Sequence, residues 1–162
     1  MKVKDIMTAN ANACTPTSTL ADAAELMWDH DCGVLPVVTE GGKVVGLVTD
    51  RDICMAAQIN NRNLRNIAVE EVISAEVFAC GPEDDVHTAL KTMAQNKVRR
   101  LPVVAPDGAL EGILSMNDLV LKAEDIKDKK VPELSYGDVV KAFKAICEHR
   151  LPAPQARSAA GV

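Results

Sequence analysis

The sequence predicts an α+β fold: two tandem copies of a small β-α-β-β-α unit, followed by one more helix. Three observations predict it. The chain repeats itself at a spacing of 66 residues, so that Cys14 falls on Cys80. Within each copy a helical apolar period gives way to two short β-rich runs. Gly41-Gly42 separates those runs in the first copy and Asp107-Gly108 in the second, which is a hairpin signal.

The repeat is clearest in GGKVVGLVTDRDI (41–53) and DGALEGILSMNDL (107–119). The same shift carries Pro16 onto Pro82, Ala23 onto Ala89 and Met27 onto Met93. It also carries Leu35-Pro36-Val37-Val38 onto Leu101-Pro102-Val103-Val104. One unit alone has too little core to stand by itself, so the two are expected to pack face to face.

Each element follows in order. An extended lead-in centres on Cys14 and on Cys80. Capping candidates come next: Thr17, Ser18 or Thr19 in one copy and Glu83, Asp84 or Asp85 in the other. Leu20, Ala23, Ala24, Met27 and Trp28 then fall on one helix face, as do Val86, Ala89, Leu90, Met93 and Ala94. The β-runs cover 34–38 with 44–49, and 100–104 with 110–115; second helices begin near Asp50 and Met116. After the repeats, EDIKDKK reads as a solvated connector of mixed charge. Ser135-Tyr136-Gly137-Asp138 opens a C-terminal helix with Val139, Val140, Phe143, Ile146 and Cys147 on one side, expected to dock on the module. PAPQARSAAGV has the composition of a disordered tail. The expected organisation is repeat one over 1–66, repeat two over 67–123, and connector, helix and tail over 124–162.

Composition narrows the function classes. With 48% hydrophobic residues but only 2% aromatics, the core must be aliphatic, and no aromatic platform for stacking bases exists. A net charge of −5 argues against nucleic acid as partner. No apolar run reaches membrane-spanning length and no signal peptide opens the chain, so a cytoplasmic protein is expected. Cys14, Cys32, Cys54, Cys80 and Cys147 contain no C-x-x-C pair, so neither a disulfide framework nor a metal site is expected. Cys14 and Cys80 read as small buried hydrophobes. His30, His87 and His149 are scattered, and no P-loop, G-x-S-x-G or H-E-x-x-H motif occurs, so no catalytic site is expected.

Two tandem units in this order, each with L-P-V-V in its first hairpin strand and G-h-h-[ST]-x-x-D closing its second, resemble a pair of CBS domains, or Bateman module. The resemblance covers about residues 1–123. It implies three-stranded sheets flanked by helices and packed with pseudo-twofold symmetry, often as a homodimer. It also implies an adenosine nucleotide, such as AMP, ADP, ATP or S-adenosylmethionine, held between the repeats as a regulatory ligand, with no cofactor required. A separate effector protein would receive the signal.

Thr49 and Asp52, and their counterparts Ser115 and Asp118, lie where a strand gives way to a helix. A helix N-terminus favours an anion. The hydroxyl can bond a phosphate oxygen, and the carboxylate can accept both hydroxyls of a ribose; the resemblance implies the same roles. The pattern is equally that of a capping box. Arg99 and Arg100 enter a β-run, where alternation would send one to the cleft and one to solvent. They suit phosphate, or else serve as solvated charges that blunt a sheet edge. Gly33 and Val34 take their places in the first copy, and Asn117 answers Arg51, so the two clefts are expected to differ, one strong and one weak or empty. For adenine the resemblance points to Pro16, Pro82, Leu35 and Leu101 with their neighbours; the prolines read equally as turn punctuation. The sequence thus supports a nucleotide sensor or, alternatively, a ligand-independent dimerisation module. A thiol-based redox partner is a third, weaker reading.

Overall fold

The structure, a computed structural model, is described over residues 1–59, 61–73, 76–125 and 132–148. In chain order its elements are β1 (Thr8–Ala9), α1 (Leu20–Asp29), β2 (Val34–Val38), β3 (Val44–Thr49), α2 (Asp50–Ile59), α3 (Val86–Asn96), β4 (Arg100–Val104), β5 (Leu110–Ser115), α4 (Met116–Lys122) and α5 (Tyr136–Cys147). Apart from β1 and α5, each has a counterpart 66 residues away.

Local chemistry sets the helix starts. Thr19 Oγ1 accepts the Asp22 amide at 3.1 Å while Asp22 Oδ2 accepts the Thr19 amide at 3.1 Å, a reciprocal capping box for α1. Asp85 caps α3 by accepting the His87 amide at 2.9 Å. The hairpin turns place Gly42 at φ +75° and Gly108 at φ +88°, which only glycine adopts readily.

The halves are related by a pseudo-twofold that the backbone records bond by bond. Val44 N–H donates to Gly108 O at 3.1 Å, and Leu110 N–H donates to Gly42 O at 3.0 Å. These bonds are equivalents under the 66-residue shift. They join one hairpin turn to the other around the Lys43–Ala109 bridge.

A second reciprocity closes the cores. Val3 N–H donates to Asp84 O and Val69 N–H to Ser18 O, both at 2.9 Å; Lys4 N–H donates to Pro82 O and Glu70 N–H to Pro16 O, both at 3.0 Å. The segment leading each repeat is therefore docked on the other repeat. Val3 is buried with Leu90, Met93, Leu101 and Leu119, whereas Ile67 and Val69 are buried with Leu20, Leu35, Val48 and Ile53. The repeat in sequence and the unit in space are offset by that exchange.

The lead-ins at Cys14 and Cys80 pair by single parallel bridges, to Val37 and Val103, rather than as strands. Pro16 and Pro82 follow closely and lack the amide a longer ladder needs. In the second half the third strand is β1, which lies antiparallel to β5 in the order β1-β5-β4; β2 and β3 make a two-stranded sheet. Cys14 and Cys80 are buried, and desolvation pushes their thiols up to about 11 and about 12, so both stay protonated as packing residues.

α5 docks on α3 and α4. Ser135 Oγ caps it by accepting the Asp138 amide at 3.2 Å, and its start is tied to the end of α4 by Glu124 N–H to Leu134 O at 3.0 Å and Tyr136 N–H to Glu124 O at 3.1 Å. The inward face is Val139 and Ala142, with Ile146 at the margin, while Val140, Phe143 and Cys147 point outward. The expected face is thus rotated, because small Ala142 lets the helix approach α3 closely. The connector beyond Asp125 and the tail lie outside the described residues.

Two outcomes follow from this packing. A Cβ on Gly112 would come within 2.5 Å of the Thr8 carbonyl oxygen, whereas one on Gly46 would meet the flexible Ile73 side chain at 2.8 Å. Gly112→Ala is expected to lose about 1–3 kcal/mol in urea unfolding, and more than Gly46→Ala. Lys2 and Lys4 both pair with Glu83, and their bonds hold its carboxyl at about 2, down from 4.5. A carboxylate depressed on folding stabilises the protein above its unfolded value and loses that contribution as pH falls. The docking of residues 2–4 is therefore expected to weaken between about pH 4.5 and 2, read by amide exchange at Val3 and Lys4.

Candidate functional site

Facing the two halves together leaves a cleft of about 480 Å³ between them. That lies within the range of about 300–1,000 Å³ usual for small-molecule sites. Its second-half wall is Ser115, Met116, Asn117 and Asp118 at the head of α4, with Arg99 and Arg100 at the entry of β4 and Ile113 of β5. The first half contributes Gly33, Val34 and Pro36 around the start of β2, and His30, Asp31 and Cys32 from the turn that follows α1. Thr8, Asn10, Ala11 and Asn12 add the N-terminal segment, and Phe143 adds α5.

Strand pairing explains why the charged and hydroxyl groups meet. β4 and β5 are antiparallel in a register that sets Arg100 opposite Ser115. Met116 N–H donates to Arg99 O at 3.0 Å, which holds the residue before β4 against the first residue of α4. Two cations therefore stand beside the N-terminus of α4, where the helix dipole also favours negative charge. Alternation was expected to turn one arginine away. Both line the cleft, because Arg99 precedes the strand and is not bound by its pleat.

Ser115 and Asp118 form a full capping box. Asp118 Oδ2 accepts the Ser115 amide at 2.7 Å and its hydroxyl at 2.6 Å, and the Asp118 amide donates to Ser115 Oγ at 3.3 Å. All the carboxylate's bonds in this box fall on Oδ2, so Oδ1 is not engaged by it. The capping and ligand readings of the motif are thus compatible.

Thr49 and Asp52 repeat the box at 3.0, 2.7 and 3.2 Å. Neither they nor Arg51 line this cleft. Leu35 and Leu101 are fully buried in the cores of their own halves, so their side chains are not on its wall; Pro36 is. The carbonyls of Pro16 and Pro82 receive the exchanged segments, as described above, and those prolines too lie off this cleft.

Asn10, Asn12, His30 and Phe143 were not expected in the cleft from the sequence. The shift sets Asn10-Ala11-Asn12 against Glu76-Val77-Phe78, and the polar Asn12 opposite the apolar Phe78 was the available cue. Asn10 sits at φ +53°, a conformation asparagine tolerates, and its amide donates to Glu111 O at 3.2 Å. Nothing in the sequence points His30 or Phe143 to the cleft; the fold alone brings them there. Among the described residues no helix is long and apolar enough to cross a membrane.

A family model described as "CBS domain" matches residues 3–58 and 69–125. The CBS domain-containing protein YhcV of Bacillus subtilis is 38% identical over 119 residues, spanning 74% of this chain and 83% of that protein. The CBS domain pair of protein MJ0100, solved in complex with 5-methylthioadenosine and S-adenosyl-L-methionine, superposes with a TM-score of 0.68 at 26% identity, covering 75% of this chain and 94% of that one. CBSX2 in complex with AMP gives a TM-score of 0.65 at 27% identity, covering 74% and 93%.

The box at α4 makes a stability prediction independent of any ligand. Ser115→Ala removes a cap acceptor and is expected to cost about 0.5–2 kcal/mol in urea unfolding, with Thr49→Ala costing a similar amount.

Proposed function

This chain belongs to the CBS-domain family, and on that premise we propose that it is a regulatory module binding an adenosine nucleotide in the cleft between its repeats. The observation that carries the reading is the convergence of Ser115, Asp118, Arg99 and Arg100 on one cavity. In this reading Asp118 takes the ribose hydroxyls through Oδ1, Ser115 and the head of α4 face phosphate, and the two arginines neutralise it. Pro36, Val34 and Ile113 supply apolar surface for the base. The ligands of MJ0100 and CBSX2 support an adenosine compound as the class. Thr49 and Asp52 then act as a cap, and the cleft at α4 is the stronger of the two. The proposal extends to a cytoplasmic homodimer that passes the signal to a separate effector protein.

A second reading, a ligand-independent interaction module, is favoured by one observation: both hydroxyl–aspartate pairs are already engaged in capping boxes. Calorimetric titration with AMP, ADP, ATP and S-adenosylmethionine, each alone, separates the two. The sensor predicts micromolar binding at one site per chain. Asp118→Ala should weaken it by about tenfold or more, the worth of hydrogen bonds to a charged group, while Asp52→Ala leaves it unchanged. Arg99→Gln with Arg100→Gln should weaken the phosphate-bearing ligands more than S-adenosylmethionine. Absence of binding by folded, nucleotide-free protein would establish the second reading instead.

A further inference from the structure

One wall of the cleft does not belong to the repeats. The family model ends at residue 125, and among the described residues Phe143 of α5 is the one lining residue beyond it. It is also the only phenylalanine, tyrosine or tryptophan on that wall, in a chain with four such residues.

The place of Phe143 follows from how α5 is tied down. The start of the helix is bonded to Glu124, just past the end of α4, and its C-terminal end to Lys97, whose Nζ donates to the Glu148 carbonyl at 3.1 Å. Lys97 stands two residues before Arg99, and the Arg99 carbonyl accepts the first amide of α4. α5 therefore runs from one end of α4 to the other: its 12 residues span about 18 Å, against about 10 Å for the 7 residues of α4. That path brings Phe143, near the far end of the helix, to the head of α4, where Arg99, Ser115 and Asp118 also line the cleft.

The two ends of α5 are held unequally. At the start Leu134, Ser135 and Val139 are buried, the Ser135–Asp138 capping box is complete, and two backbone bonds join Glu124. Beyond Ala142 no residue of the helix is buried. Ile146 packs at the margin of the core, and the described tie at the end is Lys97, through the Glu148 carbonyl and, at 3.9 Å, its carboxylate. Local stability follows buried contacts, so the helix is a strap, firm at its start and lightly held at the end that carries Phe143.

We propose that this strap closes on the cleft: nucleotide binding and docking of the C-terminal half of α5 stabilise each other through Phe143. The proposal rests on the nucleotide reading given above and names the element that registers occupancy. Phe143 is 45% exposed, and a nucleotide in the cleft gives its ring a surface to cover. The ring also keeps water from the contacts that Arg99 and Arg100 make with phosphate, which strengthens them. The coupling is reciprocal: a ligand that favours docked α5 is itself bound more tightly when α5 is docked. A protein that reads the position of α5 thereby reads the cleft without touching the repeats.

Amide exchange of the full chain, with AMP, ADP, ATP and S-adenosylmethionine each added alone, reads docking, and calorimetry reads affinity. A bound nucleotide is expected to slow exchange over 142–147 by about five- to tenfold, and Phe143→Ala to remove the slowing. Val139→Ala is the sharper variant, because Val139 packs on the core and does not line the cleft. It should weaken binding by about fivefold, although alanine is the better helix former. Val140→Ala, on the exposed side of the same helix and off the cleft, should leave binding unchanged. Binding with α5 exchange unmoved, or with Val139→Ala as tight as wild type, would overturn the strap and leave the nucleotide site standing. Binding weakened by Phe143→Ala alone would overturn it too, reducing Phe143 to a plain contact. No binding of any of the four compounds would overturn the nucleotide reading and this inference together.

Discussion

Val3 completes the core around α3 and α4, while Ile67 and Val69 complete the core around α1 and α2, and the way the two halves face each other depends on that exchange. A unit of this size buries too little surface to be stable alone, and here neither unit is closed by its own leading segment. The crossed segments and the paired hairpin turns at Gly42 and Gly108 clamp the halves in one orientation. The cleft is a product of that clamp. Its walls come from the α1–β2 connection and β2 of one half, from β4, β5 and α4 of the other, and from the N-terminal segment and α5.

Much of this was legible in the sequence because it is a matter of period and punctuation. The 66-residue repeat, the helix faces through Met27 and Met93, the glycine turns and a hydroxyl cap within Thr17–Thr19 all follow from rules local to the chain. The box at Ser115 and Asp118 was legible for the same reason, as was the fact that Arg99 and Arg100 have no counterparts in the first half. What the sequence could not show is what long-range packing decides. Nothing local says that Val3 leaves its own repeat, that α5 turns Val139 inward and Phe143 outward, or that His30 reaches the same cavity as Asp118. Leu35 and Leu101 mark the limit from the other side: the motif that carries them is near the cleft, but the strand pleat points them into the cores.

The site also shows why a capping box and a binding motif are hard to tell apart. Each asks for a hydroxyl at the helix start and a carboxylate three residues on, and each uses the exposed amides of the first turn. At α4 the cap occupies Oδ2 of Asp118 and leaves the other oxygen to the cleft. At α2 the same bonds form beside Asp50 and Arg51, away from this cavity. The difference between a cap and a candidate site therefore lies in the neighbours, here the paired arginines that β4 brings alongside.

The exchange of Gly33 and Val34 for Arg99 and Arg100, and of Asp31 for Lys97, has a consequence for inheritance. In a symmetric pair of separate single units, any change in the gene would appear at both equivalent places at once. A mutation helpful to one pocket would be imposed on the other, and a new surface charge would face its own duplicate. Linking the two copies in one reading frame removes that constraint, since a codon at position 99 alters one wall of the molecule and leaves position 33 as it was. Tandem fusion lets a twofold scaffold be kept for its packing while its two faces are selected for different work.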